Sequence, residues 1–324
     1  MRRPAPFFAD LADGPEGGRA WWLVAEDGLR LRTGLWQPEA ARGTVFLFPG
    51  RTEYVEKYGR TARDLGRHGL ATFVIDWRGQ GLAERLAGDA MSGHVLRFSD
   101  YQRDVRAMVA AAREMGLPRP WHLLGHSMGG CIGLRAAMEG MELTSCAFSG
   151  PMWGIQMARR LRPVAWSLSW GGRRLGIGQR VAPGTVAGPY VLTEPFEANK
   201  LTRDREMYRY MIAQLTARPE LCLGGPSLRW LHEALVETRR LARRPAPALP
   251  CLTVLGANEE IVDLSRIRAR VAAWPDARLE VIAGGRHEVL MEDAATRARL
   301  SGLLSDFFAE AAAGAPARGI AGRG

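Results

Sequence analysis

The chain has 324 residues, 47% of them hydrophobic, which is enough to bury one large domain or a domain with an insertion. Its net charge is +10, but the cations are almost all arginines that alternate with acids, so the chain has no continuous basic stripe for nucleic acid. The four cysteines stand far apart without CxxC spacing, which argues against a zinc site or a disulfide scaffold and favours buried thiols in a reducing compartment.

The first half of the chain alternates between strand and helix patterns. The predicted elements are strands at 20–25, 29–36 and 44–50, a helix over 54–68, a strand opening 70–81, a helix over 99–116 with Ser99 as its N-cap, a strand, tight turn and helix over 121–140, and a strand within 143–151. This alternation predicts an α/β fold with a mostly parallel sheet and helices on both faces.

The alternation stops at residue 152 and resumes near residue 249. The residues between are rich in Trp, Arg, Gly and Pro and contain two helical patterns, at 205–217 and 227–242. A strand at 251–256, a helix at 264–274, a strand at 278–284 and a helix at 296–313 follow. We therefore divide the chain into an N-terminal extension (1–20), the first part of the core (21–151), a helical cap insert (152–248), the second part of the core (249–313) and a disordered tail (314–324).

The segment Gly125-His126-Ser127-Met128-Gly129 has the form GxSxG and lies directly between a predicted strand and a predicted helix. A nucleophile elbow needs small residues on both sides of a strained serine, so that the hydroxyl stands clear of the backbone. At the N-terminus of a helix, backbone N–H groups also favour a developing negative charge. This context predicts Ser127 as a catalytic nucleophile and His126 as a packed spacer.

A serine nucleophile needs a general base within hydrogen-bond reach. In hydrolases built on this turn the acid and the histidine follow the serine in the chain, which leaves His232 and His287 among the six histidines. His287 comes after the last predicted strand, whereas His232 lies in the middle of a helix, so we expect His287 to be the base. The backbone N–H groups of Arg51 and Met128 are the expected oxyanion-hole donors.

These features resemble the α/β-hydrolase superfamily, in particular its monoacylglycerol lipase and bacterial lysophospholipase branch, a serine aminopeptidase-type hydrolase family. The motifs that carry the resemblance are PGRTEY (49–54), IDWRGQG (75–81), GHVLRFSDYQRDV (93–105), GHSMGG (125–130), SGPMWGI (149–155), EPFEANKLTRDREMYRYM (194–211) and LGGPSLRWLHEAL (223–235). Ala83 is a departure, since the family commonly has a serine there. The resemblance implies hydrolysis of a carboxylic ester in a lysophospholipid or monoacylglycerol. The sequence has no GxxxxGK(S/T) or strand–GxGxxG–helix motif and no Cys/His cluster with zinc spacing, so we expect no metal or nucleotide cofactor. The alternatives are a broad carboxylesterase, a serine aminopeptidase-like hydrolase or a non-catalytic lipid-binding module.

Three acids follow the predicted strand at 251–256, namely Glu259, Glu260 and Asp263. The family pattern Gly-x-x-Asp-x-Ile-Val-Asp matches here, with Glu259 in the place of the first aspartate and Asp263 at the second. The resemblance therefore implies that Glu259 orients His287, and a glutamate serves this fold as well as an aspartate. Asp263 remains the alternative acid, although it is also placed to cap the following helix, and Glu260 is expected to face solvent.

The cap insert carries many large apolar side chains, most of which should form the insert's own core. We expect Trp153, Tyr208, Met211 and Trp230 to line an acyl channel over Ser127. The cap arginines at positions 159, 160, 162, 173 and 174 are candidates for contact with anionic headgroups.

The N-terminus lacks the apolar segment of a signal peptide, and no run approaches the ~18 apolar residues of a membrane span. We therefore expect a cytoplasmic protein, with peripheral contact at the inner face of the membrane as an open alternative. The expected partner is a lipid-like small molecule and not nucleic acid, and the oligomeric state is left open.

Overall fold

The computed structural model describes residues 3–158, 160, 162–185 and 188–314. Within these ranges one sheet contains eight strands, which are β1 (Arg19–Val24), β2 (Arg30–Trp36), β3 (Gly43–Phe48), β4 (Leu70–Asp76), β5 (Trp121–His126), β6 (Ser145–Ser149), β7 (Cys251–Gly256) and β8 (Ala277–Ile282). Their order in the sheet is β1-β2-β4-β3-β5-β6-β7-β8. β2 runs antiparallel to β1 and β4, and all other neighbours are parallel. The predicted α/β fold with a mostly parallel sheet is confirmed.

The described helices are α1 (Ala9–Ala12), α2 (Gly59–Gly66), α3 (Tyr101–Glu114), α4 (Met128–Met138), α5 (Arg162–Arg174), α6 (Tyr190–Thr193), α7 (Arg205–Ala217), α8 (Leu228–Ala242), α9 (Leu264–Ala272) and α10 (Ala294–Gly314). Between β6 and β7 lie α5 to α8, and no described residue of that stretch joins the eight-stranded sheet. This arrangement supports the division into a core and a cap insert, which we keep as a proposal. Apart from Gly314, the predicted tail lies outside the described residues.

One helix begins differently from the prediction. A 3₁₀ turn at Phe98–Asp100 precedes α3, and Ser99 lies inside this turn instead of capping the helix. The turn begins at Arg97, two residues before Ser99, where the Asp100 carboxylate accepts the backbone N–H of Arg97 at 3.1 Å. The prediction of Ser99 as an N-cap is therefore wrong.

The central strands are buried along their whole length, because helices cover both faces of the sheet. Successive side chains of a strand point to opposite faces. Phe46 and Phe48 of β3 belong to an apolar cluster that includes side chains of α3, α4 and α9 on one face, whereas Val45 and Leu47 belong to a second cluster with side chains of α2 and α10 on the other. The apolar side chains thus form two layers, one on each face of the sheet. Polar side chains that could take part in a reaction are found at the ends of the strands.

A buried ion network holds the loop after β3 against the sheet. Arg32 of β2 donates to Asp76 Oδ2 at 2.6 Å and to Glu56 Oε2 at 2.7 Å, and all three side chains are inaccessible to solvent. Asp76, at the end of β4, also accepts the N–H of Val55 at 2.8 Å. Breaking a buried ion pair by removing one partner costs about 3–5 kcal/mol, so this network fixes loop 49–58 in one position.

Candidate active site

Ser127 lies in the sharp turn between β5 and α4. Its backbone has φ +48° and ψ −116°, a conformation that L-residues rarely adopt and that lifts the side chain out of the strand. The turn requires glycines around it, because a Cβ on Gly129 would overlap the carbonyl group of Phe48 and one on Gly130 would press on Pro151. A strained serine between a strand and a helix is the geometry expected of a nucleophile elbow.

His287 and Glu259 form a buried pair beyond the ends of β8 and β7. His287 Nδ1 donates to Glu259 Oε2 at 2.7 Å, and both side chains are almost completely buried. The other oxygen, Oε1, accepts the N–H groups of Ile261 at 2.6 Å and Val262 at 3.2 Å, which fixes the orientation of the carboxylate. Burial on its own would raise the pKa of Glu259, but the hydrogen bond and charge of His287 outweigh it and lower the pKa. Glu259 is therefore ionised at neutral pH and holds the ring hydrogen on Nδ1.

Gly150, directly after β6, leaves the space that this pair occupies. Its φ is +48°, and a Cβ there would lie 3.1 Å from His287 Nδ1 and 3.2 Å from Glu259 Oε2. A larger residue would combine backbone strain with pressure on both side chains. Gly150 is therefore a requirement of the histidine–glutamate contact that sequence analysis did not identify.

The other two acids of this loop have different partners. Asp263 is the N-cap of α9, as predicted, and its Oδ1 accepts two N–H groups of the first helical turn at 3.1 and 3.3 Å. Its Oδ2 pairs with an arginine of α5 at 3.0 Å. Glu260 is exposed, as expected, and lies 3.0 Å from a lysine ammonium. Among the described residues, Glu259 is thus the carboxylate that accepts a hydrogen bond from His287.

Ser127 and His287 line one large cavity of about 740 Å³. Both the core and the cap contribute to its wall, which is mostly apolar. The cap side chains that border it include Val164, Leu168, Met211, Leu215 and Trp230. A cavity of this size and character fits a ligand that is largely apolar, with a few polar groups that set its orientation.

Of the four side chains expected to line an acyl channel, Met211 and Trp230 border this cavity. Trp153 instead packs in the core against Phe148, with ring centroids 5.1 Å apart, and its Nε1 donates to a carbonyl group of α4 at 3.1 Å. The Tyr208 ring packs against a phenylalanine ring of the cap, with centroids 5.7 Å apart, and its hydroxyl donates to a backbone carbonyl at 2.8 Å. Neither borders this cavity, so the expectation for Trp153 and Tyr208 is corrected. An apolar pattern identifies a buried side chain, but it does not tell a cavity wall from a filled core.

Arg51 and Met128 border the same cavity as Ser127. Within the part of the chain that the structure describes, their backbone N–H groups donate to no protein acceptor. Most backbone N–H groups away from water have a partner, so these two are available to a negatively charged oxygen. The loop that carries Arg51 is shaped by Glu53, whose carboxylate accepts the N–H of Gly50 and the hydroxyl of Tyr58, the latter at 2.5 Å.

The side chain of Arg51 connects this loop to the cap. Its guanidinium donates to the Gly224 carbonyl at 2.8 Å and lies 5.7 Å from the centroid of the Trp230 ring. Burial lowers the pKa of Arg51 to about 10, so the side chain remains charged at neutral pH. Arg51 therefore fixes the start of α8 relative to the loop after β3.

Sequence analysis missed a buried group of ionisable residues beside the site. Glu53 and Lys57 follow β3, His126 ends β5, and Glu288 follows β8. A ring nitrogen of His126 and one oxygen of each glutamate lie within 4.8 Å of one another, so these residues could offer ligands to a metal ion. The Lys57 ammonium, however, already lies between the two carboxylates, 2.7 Å from Glu53 Oε1 and 2.6 Å from Glu288 Oε1. A local sequence pattern could not have predicted this group, because Lys57 and Glu288 are 231 positions apart in the chain.

Similar proteins are found by sequence. The family model described as "Serine aminopeptidase, S33" matches residues 39–294. The chain is 31% identical over 274 residues to lysophospholipase L2 of Escherichia coli (strain K12), and the match covers 82% of this chain and 79% of that protein. It is 28% identical over 271 residues to the monoacylglycerol lipase of Mycolicibacterium smegmatis, which covers 82% of this chain and 88% of the relative.

Solved structures share the architecture. A soluble variant of monoglyceride lipase from Saccharomyces cerevisiae matches with a TM-score of 0.68 at 20% identity, over 89% of this chain and 94% of that one. A thermostable carboxyl esterase from Bacillus coagulans matches with a TM-score of 0.70 at 17% identity, and the match covers 91% of this chain and 99% of that one. These likenesses confirm the expected α/β-hydrolase fold, and the family match spans well over half of the sequence. The chain belongs to the serine aminopeptidase S33 family of α/β hydrolases.

Proposed function

We propose that this protein is a serine hydrolase that cleaves the carboxylic ester of a single-acyl lipid, a lysophospholipid or a monoacylglycerol, with Ser127, His287 and Glu259 as its triad. The observation that carries the proposal is the 2.7 Å hydrogen bond from His287, which lines the same cavity as Ser127, to Glu259. A serine, an imidazole and an orienting carboxylate are the groups that acyl transfer requires. The names of the relatives, lysophospholipase and monoacylglycerol lipase, suggest the substrate class.

In the proposed reaction His287 Nε2 takes the proton of the Ser127 hydroxyl while Oγ attacks the ester carbonyl carbon. The carbonyl π bond breaks, and the resulting oxyanion accepts hydrogen bonds from the N–H groups of Arg51 and Met128. Collapse of this intermediate expels the alcohol, which takes the proton from His287, and the acyl group remains on Ser127. Water activated by His287 then releases the fatty acid and restores the serine. Glu259 stays ionised and stabilises the imidazolium at each step.

The cavity favours an ester lipid over an aminoacyl substrate. Each methylene of an acyl chain buried against its apolar wall contributes about 0.8 kcal/mol to binding. An aminopeptidase, by contrast, needs an unpaired carboxylate near the serine to bind the substrate's ammonium group. The described carboxylates that border the cavity are Glu53 and Glu288, and both are paired with Lys57. This pairing supports the lipid substrate, with a broad carboxylesterase as the alternative.

Exposed apolar side chains concentrate on α5 and the residues after it. Leu168 and Trp170 are 48% and 52% exposed, and Leu175 and Ile177 are 76% and 37% exposed. We call these four residues the cap patch. Leu168 also borders the cavity, so the patch adjoins the space in which we place the substrate.

Exposed arginines flank the cap patch, at positions 160, 162, 174 and 180. Of the other predicted headgroup contacts, Arg159 and the side chain of Arg173 lie outside the described residues. Large apolar groups beside cations are typical of a surface that lies against an anionic bilayer. None of the helices that the structure describes is long and apolar enough to cross a membrane. We infer peripheral contact through the cap patch, with substrate entering from the bilayer.

Replacing Ser127 with alanine should lower fatty acid release from a lysophospholipid by at least about 1,000-fold, because the enzyme then lacks the hydroxyl that attacks the ester carbonyl. Released fatty acid is measured with lysophospholipid, monoacylglycerol, short p-nitrophenyl esters and aminoacyl amides, and we expect the highest kcat/KM for a single-acyl lipid. Ser99→Ala, outside the cavity, is the control. Full activity in Ser127→Ala would contradict the mechanism, and a preference for the amides would favour a peptidase. Lipid binding without hydrolysis by the unmodified protein would indicate a binding module.

Glu259→Gln should lower kcat by about 1,000- to 10,000-fold, because an amide no longer holds the required tautomer of His287 or stabilises its imidazolium. Asp263→Asn is the matched control, since asparagine also caps helices, and kcat should stay within about twofold of the unmodified enzyme. Both variants are assayed with the same soluble ester. Normal activity of Glu259→Gln together with an inactive Asp263→Asn would move the acid to Asp263.

The double variant Trp170→Ala/Leu175→Ala should bind anionic vesicles at least about tenfold more weakly, because two large side chains no longer enter the interface. Binding is measured by co-sedimentation with phosphatidylglycerol vesicles, and it should weaken with salt and with phosphatidylcholine vesicles. Val24→Ala, an exposed position on β1, is the control. Equal binding by the double variant and the control would reject the cap patch as the docking surface.

A further inference from the structure

Four buried ionisable side chains meet beside His287, and the proposed mechanism does not use them. They are Glu53, Lys57, His126 and Glu288, which we call the buried charge cluster, and none is more than 4% exposed. The Lys57 ammonium lies 2.7 Å from Glu53 Oε1 and 2.6 Å from Glu288 Oε1. Burying so many ionisable groups is costly unless their charges cancel, so the charge of His126 decides the balance.

The surroundings of His126 indicate how many protons its ring carries. Nδ1 lies 3.0 Å from the backbone carbonyl oxygen of Ser149 and 3.2 Å from the Ser149 hydroxyl oxygen. The carbonyl oxygen can only accept and is the nearer of the two, and it would repel a bare Nδ1 lone pair, so we place a hydrogen on Nδ1. Nε2 faces two carboxylates, at 3.4 Å from Glu288 Oε2 and 3.5 Å from Glu53 Oε1. In a neutral ring the lone pair of Nε2 would face both oxygens and be repelled. A second proton on Nε2 turns this repulsion into an ion pair, although these distances are long for a hydrogen bond.

The total charge of the cluster leads to the same conclusion. With His126 protonated, two carboxylates face two cations and the sum is zero, whereas a neutral His126 leaves a net negative charge in a buried site. Burial alone would lower the pKa of His126, but the attraction of Glu288 and Glu53 outweighs it and raises the pKa. Burial would likewise raise the pKa of Glu288, yet Lys57 and His126 hold it well below its usual range.

The cluster is close enough to His287 to affect its protonation. The ring centroids of His126 and His287 are 4.8 Å apart, and Glu288 is the next residue in the chain. On its other side, the His287 ring donates from Nδ1 to the ionised carboxylate of Glu259. One uncompensated charge at about 5 Å changes the proton affinity of a neighbour by one pKa unit or more at an effective dielectric constant of about 20. A net charge on the cluster would therefore act on His287.

We propose that Glu53 and Glu288 hold His126 as an imidazolium, and that the resulting neutral cluster sets how readily His287 accepts the serine proton. This inference rests on the proposed function, because it concerns the environment of the proposed base. His126 and Glu288 are positioning residues that act on His287 through charge. A cation beside His287 disfavours a second imidazolium there, and the carboxylate of Glu288 removes that penalty.

His126→Gln and Glu288→Gln should shift the acid limb of the pH–kcat/KM profile in opposite directions. With a soluble p-nitrophenyl ester this limb reports the protonation of His287 in the free enzyme. Glutamine at 126 removes a positive charge, so His287 should bind its proton more tightly and the limb should move up by roughly one pH unit. Glutamine at 288 removes a negative charge, and the limb should move down. The double variant restores neutrality and should return the limb close to its original position.

His122→Gln is the matched control, because His122 is also buried on β5 but bonds to Ser145 at 2.8 Å, outside the cluster. Its acid limb should not move. The proposal is overturned if the acid limbs of the two cluster variants shift in the same direction, or if neither limb shifts. A fall in activity alone does not support it, because a structural defect also lowers activity but does not shift the two limbs in opposite directions. If Ser127→Ala is inactive but the acid limbs of His126→Gln and Glu288→Gln match that of the unmodified enzyme, the cluster proposal alone fails. If Ser127→Ala is active, the proposed function fails first.

A measurement on the unmodified protein covers the case in which a cluster variant does not fold. Nitrogen-15 NMR of labelled histidines at pH 7 distinguishes an imidazolium from either neutral tautomer. We expect both ring nitrogens of His126 to be protonated. A single pyridine-type nitrogen in this ring would overturn the proposal.

Discussion

In a parallel sheet the carboxyl ends of the strands lie at one edge, and this constraint determines where the chemistry of this protein is assembled. β3, β5, β7 and β8 all end there, and Arg51, Ser127, Glu259 and His287 follow them. Local contacts then fix each group. The carboxylate of Glu259 is held by backbone N–H groups of its own loop. The sheet supplies proximity, and the short loops supply orientation.

Buried charge is the second constraint, and it acts mainly through the loop after β3. Within five positions of this loop, Glu53 and Lys57 join the buried charge cluster while Glu56 joins the ion pair with Arg32. The same short segment therefore connects the sheet, the proposed oxyanion donor at Arg51 and the surroundings of His287. Buried ion pairs of this kind contribute little net stability, and we regard geometric specification of the loop as their role here.

The parts of the site that depend on neighbouring residues were predictable from sequence. The strand–turn–helix around Ser127 is encoded by small residues at fixed positions, and the cap role of Asp263 follows from its place before a helix. The distinction between Glu259 and Asp263 came from a family pattern, and the structure places Glu259 against His287. Gly150 had no such signal, because its need for a small side chain arises only from the pair that lies over it.

The parts that depend on tertiary packing were not predictable. Trp153 and Tyr208 are buried, as their apolar character indicates, but they do not border the cavity that contains Ser127, whereas Met211 and Trp230 do. Periodicity is the same in both cases, and only the packing of the cap on the core separates them. The buried charge cluster is a stronger example, since its members come from three distant segments of the chain and His126 by itself looked like a spacer.

The central claim is that Ser127 is the nucleophile activated by His287 in this cavity. An alkyl fluorophosphonate tests it directly, because the serine oxygen displaces fluoride and the phosphonyl group stays attached for peptide mass spectrometry. We expect one adduct per chain, on the peptide that contains Ser127, and at least about a 1,000-fold slower reaction in His287→Ala. A label on another residue, or equal labelling of the Ser127→Ala protein, would contradict the claim.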